Sequence, residues 1–350
     1  MQISLRRLSF VTPPRLFLVL FALDNPSASK KFVVANDPAD PPQGLFGSVV
    51  AIGNFDGIHR GHRVVIACAR AFARKLGAPS AVLTFEPHPA DFFRGPNTVF
   101  RLTPADTKAK ALERLGIDGM FVFTFDKSLA SRSAEEFIAE ILVGRLGIRA
   151  AVAGYDFHFG AGRSGSPEFL MDAGRRYGFE VEIVERILAG QEIDHEAASS
   201  TAARAALEAG DAARAAKLLS HPFVIMGKVV PGQQRGRTLG FPTANLLPDA
   251  SCRLRHGVYA VRVTVRTKIY DGVASFGRRP TFDNGRALLE AFLFQYSGDL
   301  YGETIEVHFF GWIREELKFD SADALVLQMK QDERRARKIL KARQSDSGNP

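Results

Sequence analysis

Cysteine is scarce in this chain: only Cys68 and Cys252 occur among 350 residues, far apart and without metal-ligand spacing. That excludes a disulfide framework and a thiolate metal site, and suits a reducing cytosol. No GxxxxGK[ST] run is present, so a Walker-type phosphate loop is excluded. A nucleophilic Cys or Ser motif is missing too, which turns attention from covalent catalysis to positioning and charge stabilisation. There is no internal repeat and no low-complexity tract. The apolar run at residues 16–23 is too short to span a bilayer.

What is present is ordinary for a globular protein, with 46% hydrophobic and 24% charged residues. At 350 residues the length favours two domains, each able to bury a core. The formal net charge of +8 suits anionic ligands. Part of it is local, because residues 330–343 are strongly basic and read as the solvated face of a last helix, so nucleic-acid binding is not required. Arg6 and Arg7, the apolar run and Ser27-Ala28-Ser29 imitate a secretory signal. Residues 1–31 are expected to be a translated upstream extension instead.

The chain is organised around Gly53-Asn54-Phe55-Asp56-Gly57-Ile58-His59-Arg60-Gly61-His62. An apolar, β-branched strand at 47–52 precedes it. A stretch of helical periodicity at 62–76 follows and ends at Gly77. The motif therefore lies on a strand-to-helix turn, where backbone N–H groups and a helix dipole meet an anion. Two imidazoles three residues apart can both point at a bound phosphate chain.

Downstream, strands at 81–85, 120–125, 150–153 and 179–187 alternate with helices at 104–115, 133–146 and 167–177. Ser133 with Glu136 reads as a capping box, and Ser166-Pro167 as a helix start. Such β-α-β repetition predicts a parallel sheet covered by helices, with ligands at the carboxyl ends of its strands. Residues 200–219 read as two short helices broken at Gly210-Asp211, and the domain boundary belongs there. Beyond 220, strands at 224–230, 257–265, 272–276, 288–294 and 304–309 predict a small antiparallel β-barrel, with one terminal helix over 321–343.

Three further stretches suit phosphate and ring recognition. Glu86-Pro87-His88-Pro89 follows a strand end and faces the same mouth as His59 and His62. The loop 154–165, GYDFHFGAGRSG, interleaves aromatics and glycines and suits a flat ring plus phosphate. Ser199-Ser200-Thr201 with Arg204 puts hydroxyls at a helix N-terminus and an Arg one turn in, although alone this is most often just a cap. In the second half, residues 227–245 form a glycine-rich, basic loop that can wrap phosphates with backbone N–H groups. It ends in Thr243 and Asn245, neutral oxygen donors two apart, suited to Mg²⁺ whose other ligands are nucleotide phosphates. By alternation alone, Glu290 could be a solvent-facing strand residue.

GNFDGIHRGH resembles the signature of the HxGH nucleotidyltransferases, and its wording is similar to bacterial bifunctional riboflavin kinase/FAD synthetases. TFEPHP at 84–89, GYDFHFG, SSTAAR at 199–204 and GKVVPGQQRGRTLGFPTAN at 227–245 follow in that family's order, so the resemblance covers about residues 32–341. It implies a Rossmann-like nucleotidyltransferase domain followed by a riboflavin kinase barrel. It divides the chain into the extension (1–31), the FMN adenylyltransferase domain (32–190), a helical linker (191–219), the kinase domain (220–343) and a tail (344–350). By resemblance, ATP for adenylylation is held by Gly53, Asn54, Phe55, Asp56, His59, His62, Ser199, Ser200, Thr201 and Arg204. Of these, His59, His62 and Arg204 are catalytic. Asp156, Phe157 and Phe159 seat FMN.

In the kinase, Gly227, Lys228, Gly232, Gly236, Arg237, Gly240, Pro242, Thr243 and Asn245 hold ATP, and Thr243 and Asn245 hold Mg²⁺. Riboflavin's hydroxyl must lose a proton, and Glu290 occupies the family's catalytic glutamate position. Two departures stand out: Ala203 replaces a larger β-branched residue, and Ala291-Phe292 replaces Val-His. The expected partners are riboflavin, FMN, FAD and ATP, with no nucleic acid and no membrane, and the chain is expected to be a cytoplasmic monomer or weak homo-oligomer. An HxGH transferase for another phosphorylated acceptor is disfavoured by the kinase-like half. A catalytically decayed flavin sensor is disfavoured by intact His59, His62, Thr243, Asn245 and Glu290.

Overall fold

The computed structural model describes residues 31–185, 199–231, 243–278 and 287–346. The extension up to residue 30 and residues 191–198 of the linker lie outside the described residues. So do Gly232, Gly236, Arg237, Gly240 and Pro242, the Arg279-Pro280-Thr281-Phe282 run, and the tail beyond 346.

The first half contains β1 (Val33–Asn36), β2 (Val49–Ile52), α1 (Arg60–Leu76), β3 (Ser80–Glu86), α2 (Pro89–Arg94), α3 (Ala105–Arg114) and β4 (Gly119–Thr124). After these come α4 (Lys127–Ala130), α5 (Ala134–Glu136), β5 (Ala150–Gly154), α6 (Pro167–Tyr177) and β6 (Glu180–Val184). The six strands form one parallel sheet in the order β1-β4-β3-β2-β5-β6. The order reverses between β3 and β5 on either side of β2, so the carboxyl end of β2 opens at a topological switch point. β2 is buried throughout. Val50 and Ile52 enter one apolar cluster and Val49 and Ala51 the other, because successive side chains leave a strand on opposite faces. α1 covers the second cluster with Val65, Ile66, Ala69 and Ala73, an amphipathic stripe closed by left-handed Gly77.

Two features escaped the periodicity. β1 is only four residues long, too short to announce itself. The helix opened by the Ser133–Glu136 capping box continues from Phe137 to Arg145 with wider, π-type winding, so its hydrogen bonds reach one residue further than the expected helix.

Two linker helices, α7 (Ser200–Glu208) and α8 (Ala212–Leu219), lead to β7 (Phe223–Lys228), β8 (Thr243–Leu246), β9 (Gly257–Val265), β10 (Lys268–Arg278), β11 (Ala287–Leu293) and β12 (Thr304–Arg314), with α9 (Ala322–Asp346) last. These strands form an antiparallel sheet in the order β7-β12-β9-β10-β11-β8. The sheet curls until its edges meet at a bridge between Val230 and Asn245. Tyr259, Phe276, Phe309 and the inward aliphatic residues of β9, β11 and β12 fill its interior. β12 runs past residue 309, where irregular register between Phe309 and Gly311 interrupts the alternation that marks a strand in sequence. Ala336 and Leu340 of α9 pack on Val258, Ala260 and Val273, and Arg314 of β12 pairs with buried Asp332 at 2.6 Å.

α7 and α8 lie between the sheets. Phe100 and Leu102 from the first half join Ala203, Ala206, Leu207, Leu218 and Leu219 in the same buried cluster that fills the barrel. Ala203 is fully buried there. Arg114 of α3 clamps Glu306 of β12 through two contacts of 2.6 Å, and His308 stands 3.5 Å from the same carboxylate. Burial alone would raise the Glu306 pKa, but the hydrogen bonds from His308 and Arg114 outweigh it and bring it down to about 2. A depressed carboxylate contributes stability that is present above its unfolded pKa and lost as pH falls through the folded one. Wild-type protein is therefore expected to lose stability between about pH 4.5 and 2 more steeply than Glu306→Gln, which should cost about 1–2 kcal/mol at pH 7 because Arg114 is half exposed. Urea melts of both proteins at several pH values check this.

Candidate functional sites

The first constellation begins where β2 ends. Phe55, Gly57 and Ile58 all take positive φ (48°, 83° and 40°), folding the motif into a tight turn before α1. His59 is the N-cap of α1, and its Nδ1 accepts the His62 N–H at 3.4 Å. The two rings stack with centroids 3.7 Å apart, and Phe55 meets His62 edge-on. Burial pushes both pKa values down, His59 to about 4 and His62 well below its ordinary value. Both imidazoles are neutral at physiological pH, so they offer N–H donors to an anion instead of full positive charges. Among the described residues, His62 Nδ1 is buried without a hydrogen-bond partner.

Asp56 is oriented inward. Its carboxylate accepts from Arg204 Nη2 at 2.6 Å, from the Thr103 N–H at 2.8 Å and from the Leu102 N–H at 3.2 Å. Burial would raise its pKa, yet Arg204 and these N–H groups hold it below the usual carboxylate value, so it stays ionised. Its oxygens are thus taken by protein donors, and its visible work is to hold Arg204. Ser200 Oγ donates to the Asp56 carbonyl at 2.7 Å, Ser199 caps α7, and Thr201 is exposed. The SSTxxR stretch therefore meets the glycine-histidine turn although 148 residues separate Arg204 from Asp56. Asp156 is exposed and close enough to His59 to act on it electrostatically. Phe157 is half-buried, while Phe159 is buried against Phe137 and Phe169 and belongs to the core. Gly53 and Asn54 line the turn, and the Asn54 carbonyl accepts from Thr84 Oγ1 at 3.1 Å.

The second constellation lies on the outer face of the curled sheet. β8 pairs with β11 so that Asn245 stands opposite Glu290, and β11 pairs with β10 so that Glu290 stands opposite Ser275. Directly opposed residues share a face. Ala244, Leu246, Leu289 and Ala291 take the inner face. Thr243, two residues from Asn245, shares its side of the strand. Gly227 and Lys228 end β7 beside this row, and the Val230–Asn245 bridge ties the edges together.

Models of two families match the chain: FAD synthetase over residues 42–202 and riboflavin kinase over residues 219–340. The bifunctional riboflavin kinase/FMN adenylyltransferase of Haemophilus influenzae is 40% identical over 289 residues, covering 82% of this chain and 92% of the relative. The chain belongs to the bifunctional riboflavin kinase/FMN adenylyltransferase family. Its Escherichia coli K12 relative is also 40% identical, over 84% of this chain and 93% of that one. A crystal structure described as a macrolide-efflux protein from Streptococcus pneumoniae superposes with a TM-score of 0.73 at 34% identity, over 87% of this chain and 99% of that one. None of the described helices is long and apolar enough to cross a membrane. Membership makes the chain a transferase of flavin cofactor synthesis, carrying the riboflavin kinase and FMN adenylyltransferase activities.

Within this bifunctional frame the structure adds residues that pattern reading passed over. Lys108 is buried; its Nζ donates to Thr84 Oγ1 at 3.0 Å and to Glu86 Oε1 at 3.2 Å, and Arg101 reaches the same Glu86 oxygen at 2.6 Å. The signal was available, since Lys108 occupies the apolar stripe of α3 four residues before Leu112. Phe92 and Phe93 follow the EPHP turn and are 38% and 69% exposed. They pack edge-on to Phe125, which continues through Phe85, Phe137 and Phe159 to Phe157 as an aromatic wall. In the kinase half, Glu316 lies against Gly277 and accepts from Ser275 Oγ at 3.2 Å, one strand from Glu290.

Proposed function

We propose that the two constellations divide the family's two reactions between them. At the first, the phosphate of FMN attacks the α-phosphorus of ATP, the bond to the β-phosphate oxygen breaks, and pyrophosphate leaves. The nucleophile is already anionic, so no strong base is needed. Neutral His59 and His62 donate N–H bonds to phosphate oxygens, the α1 N-terminus adds its dipole, and Arg204 stands behind them on Asp56. Asp156 and the aromatic wall ending at Phe92 and Phe93 seat the flavin. The observation that carries this reading is the meeting of the stacked histidine pair with the SSTxxR helix at the sheet's switch point.

At the second, Glu290 takes the proton of riboflavin's 5′-hydroxyl as its oxygen bonds to the γ-phosphorus of ATP and ADP leaves. Gly227, Lys228 and the loop that follows hold the nucleotide. Thr243 and Asn245 fit Mg²⁺, because they are neutral oxygen donors on one face of β8 and phosphate oxygens supply the remaining ligands. Bound there, the ion supplies charge neutralisation at the phosphates.

We place both reactions in the cytosol, on a monomer or weak homo-oligomer with no nucleic-acid or membrane partner. Incubation with riboflavin, ATP and Mg²⁺, followed by chromatographic separation of the flavins, should show FMN rising and then giving way to FAD. Excess chelator should stop both steps. FMN that accumulates without FAD, or turnover unaffected by chelation, would overturn the corresponding half of the reading.

A further inference from the structure

The geometry points to His221 as a positioning residue for adenylyl transfer, although it lies in the segment that opens the second sheet; this rests on the proposed reading of residues 53–62 as the ATP turn. Its Nε2 stands 2.9 Å from the carbonyl of Gly57. The N–H of the same glycine donates to Thr103 Oγ1 at 2.8 Å. With the one proton of the neutral ring assigned to Nε2, His221 donates to this carbonyl, and Gly57 is gripped on both sides, by α3's leading loop and by the entrance to the barrel. It sits at φ 83°, and a Cβ there would lie 2.8 Å from Leu102 Cδ1 and 3.0 Å from Leu219 Cδ2. Ile58, also left-handed, is buried immediately after it. Such backbone persists only where its surroundings impose it. The next residue is His59, so rotation of the Gly57–Ile58 peptide would swing the stacked imidazoles away from the phosphates.

The other ring nitrogen of His221, Nδ1, stands 2.8 Å from the Pro222 carbonyl. Burial pushes its pKa down and the two carbonyls oppose that, while Arg63 from α1 and His308 from β12 push it down further; Glu306 and Arg114 lie beyond His308. Among the described residues, neither ring nitrogen meets a strand of the second sheet. A role in the barrel alone would show in the kinase reaction, whereas a role in the turn shows only in adenylylation.

The two half-reactions are measured separately, riboflavin to FMN and FMN to FAD, on full-length His221→Ala and His221→Gln with His62→Ala as reference. His221→Ala should lower kcat/KM for FAD formation by about tenfold to a hundredfold and leave FMN formation unchanged. His221→Gln, whose amide N–H can still reach the Gly57 carbonyl, should recover most of the loss. If His221→Ala forms FAD normally while His62→Ala does not, the positioning role fails and the site stands. If both half-reactions fall together, or Gln restores nothing, the hydrogen bond to Gly57 is not what matters and the inference is overturned. If His62→Ala itself forms FAD normally, the underlying site reading falls, and this inference with it.

Discussion

Glu290→Gln is expected to abolish conversion of riboflavin to FMN while leaving FMN-to-FAD conversion at its wild-type rate. The substitution keeps shape and removes only the ability to accept a proton. The attacking group in the kinase step is a neutral hydroxyl, so loss of a positioned base should cost about 10²–10⁴-fold in kcat. Glu290 is held in register opposite Asn245 and Ser275 by seven consecutive pairs with β10 and four with β8, so the backbone has no reason to move. The adenylylation turn is built from β2, α1 and α7, whereas this row stands on β8, β10 and β11. Separate assays with riboflavin and with FMN as starting flavin decide the matter. Equal loss of both activities would sink the two-site reading.

His62→Ala should do the reverse, cutting FAD formation by about 10²–10³-fold, the cost of removing one preorganised donor from a developing phosphoryl charge, and sparing the kinase. His62 lies in the first turn of α1, stacked on His59 and edge-on to Phe55. The loss should fall on kcat more than on KM for ATP, since charge on the phosphoryl oxygens grows toward the transition state. Because burial holds the His59 pKa down to about 4, the wild-type rate should show no step from His59 between about pH 5 and 8. Loss of kinase activity in this variant would reverse the proposed division of labour.

Much of the architecture was legible because it is written locally. The strand-turn-helix around His59, the Ser133–Glu136 box, the Ser166-Pro167 start and the break at Gly210-Asp211 each depend on residues within a few positions of one another. The misses have the same origin. β1 is four residues long, and the π-wound stretch after Glu136 keeps the apolar residues of an ordinary helix. Irregular register near Phe309 hid the end of β12. At the sites, Asp56 reads as a ligand-facing acid in its motif. Its geometry shows a buried anchor for Arg204, whose position could not be inferred from any neighbouring residue. Phe159 reads as part of a flavin loop and packs into the core. Lys108 stands in the apolar stripe of α3 and was passed over because a lysine in an amphipathic helix is ordinarily on its wet face.

By itself the sequence determined the order of the elements, the two glycine-rich stretches and the residues that could meet a nucleotide. Spacing along the chain suffices for that, since helical and strand periodicity and turn chemistry act over ten residues or fewer. Only the tertiary structure decided which of those residues meet: Asp56 with Arg204, Asn245 with Glu290, Gly57 with His221. It alone decided the charge state of the histidines as well, because a pKa follows burial and neighbours in space. Such contacts depend on sheet order, register and the packing of α7 and α8 between two sheets, and no local pattern encodes them.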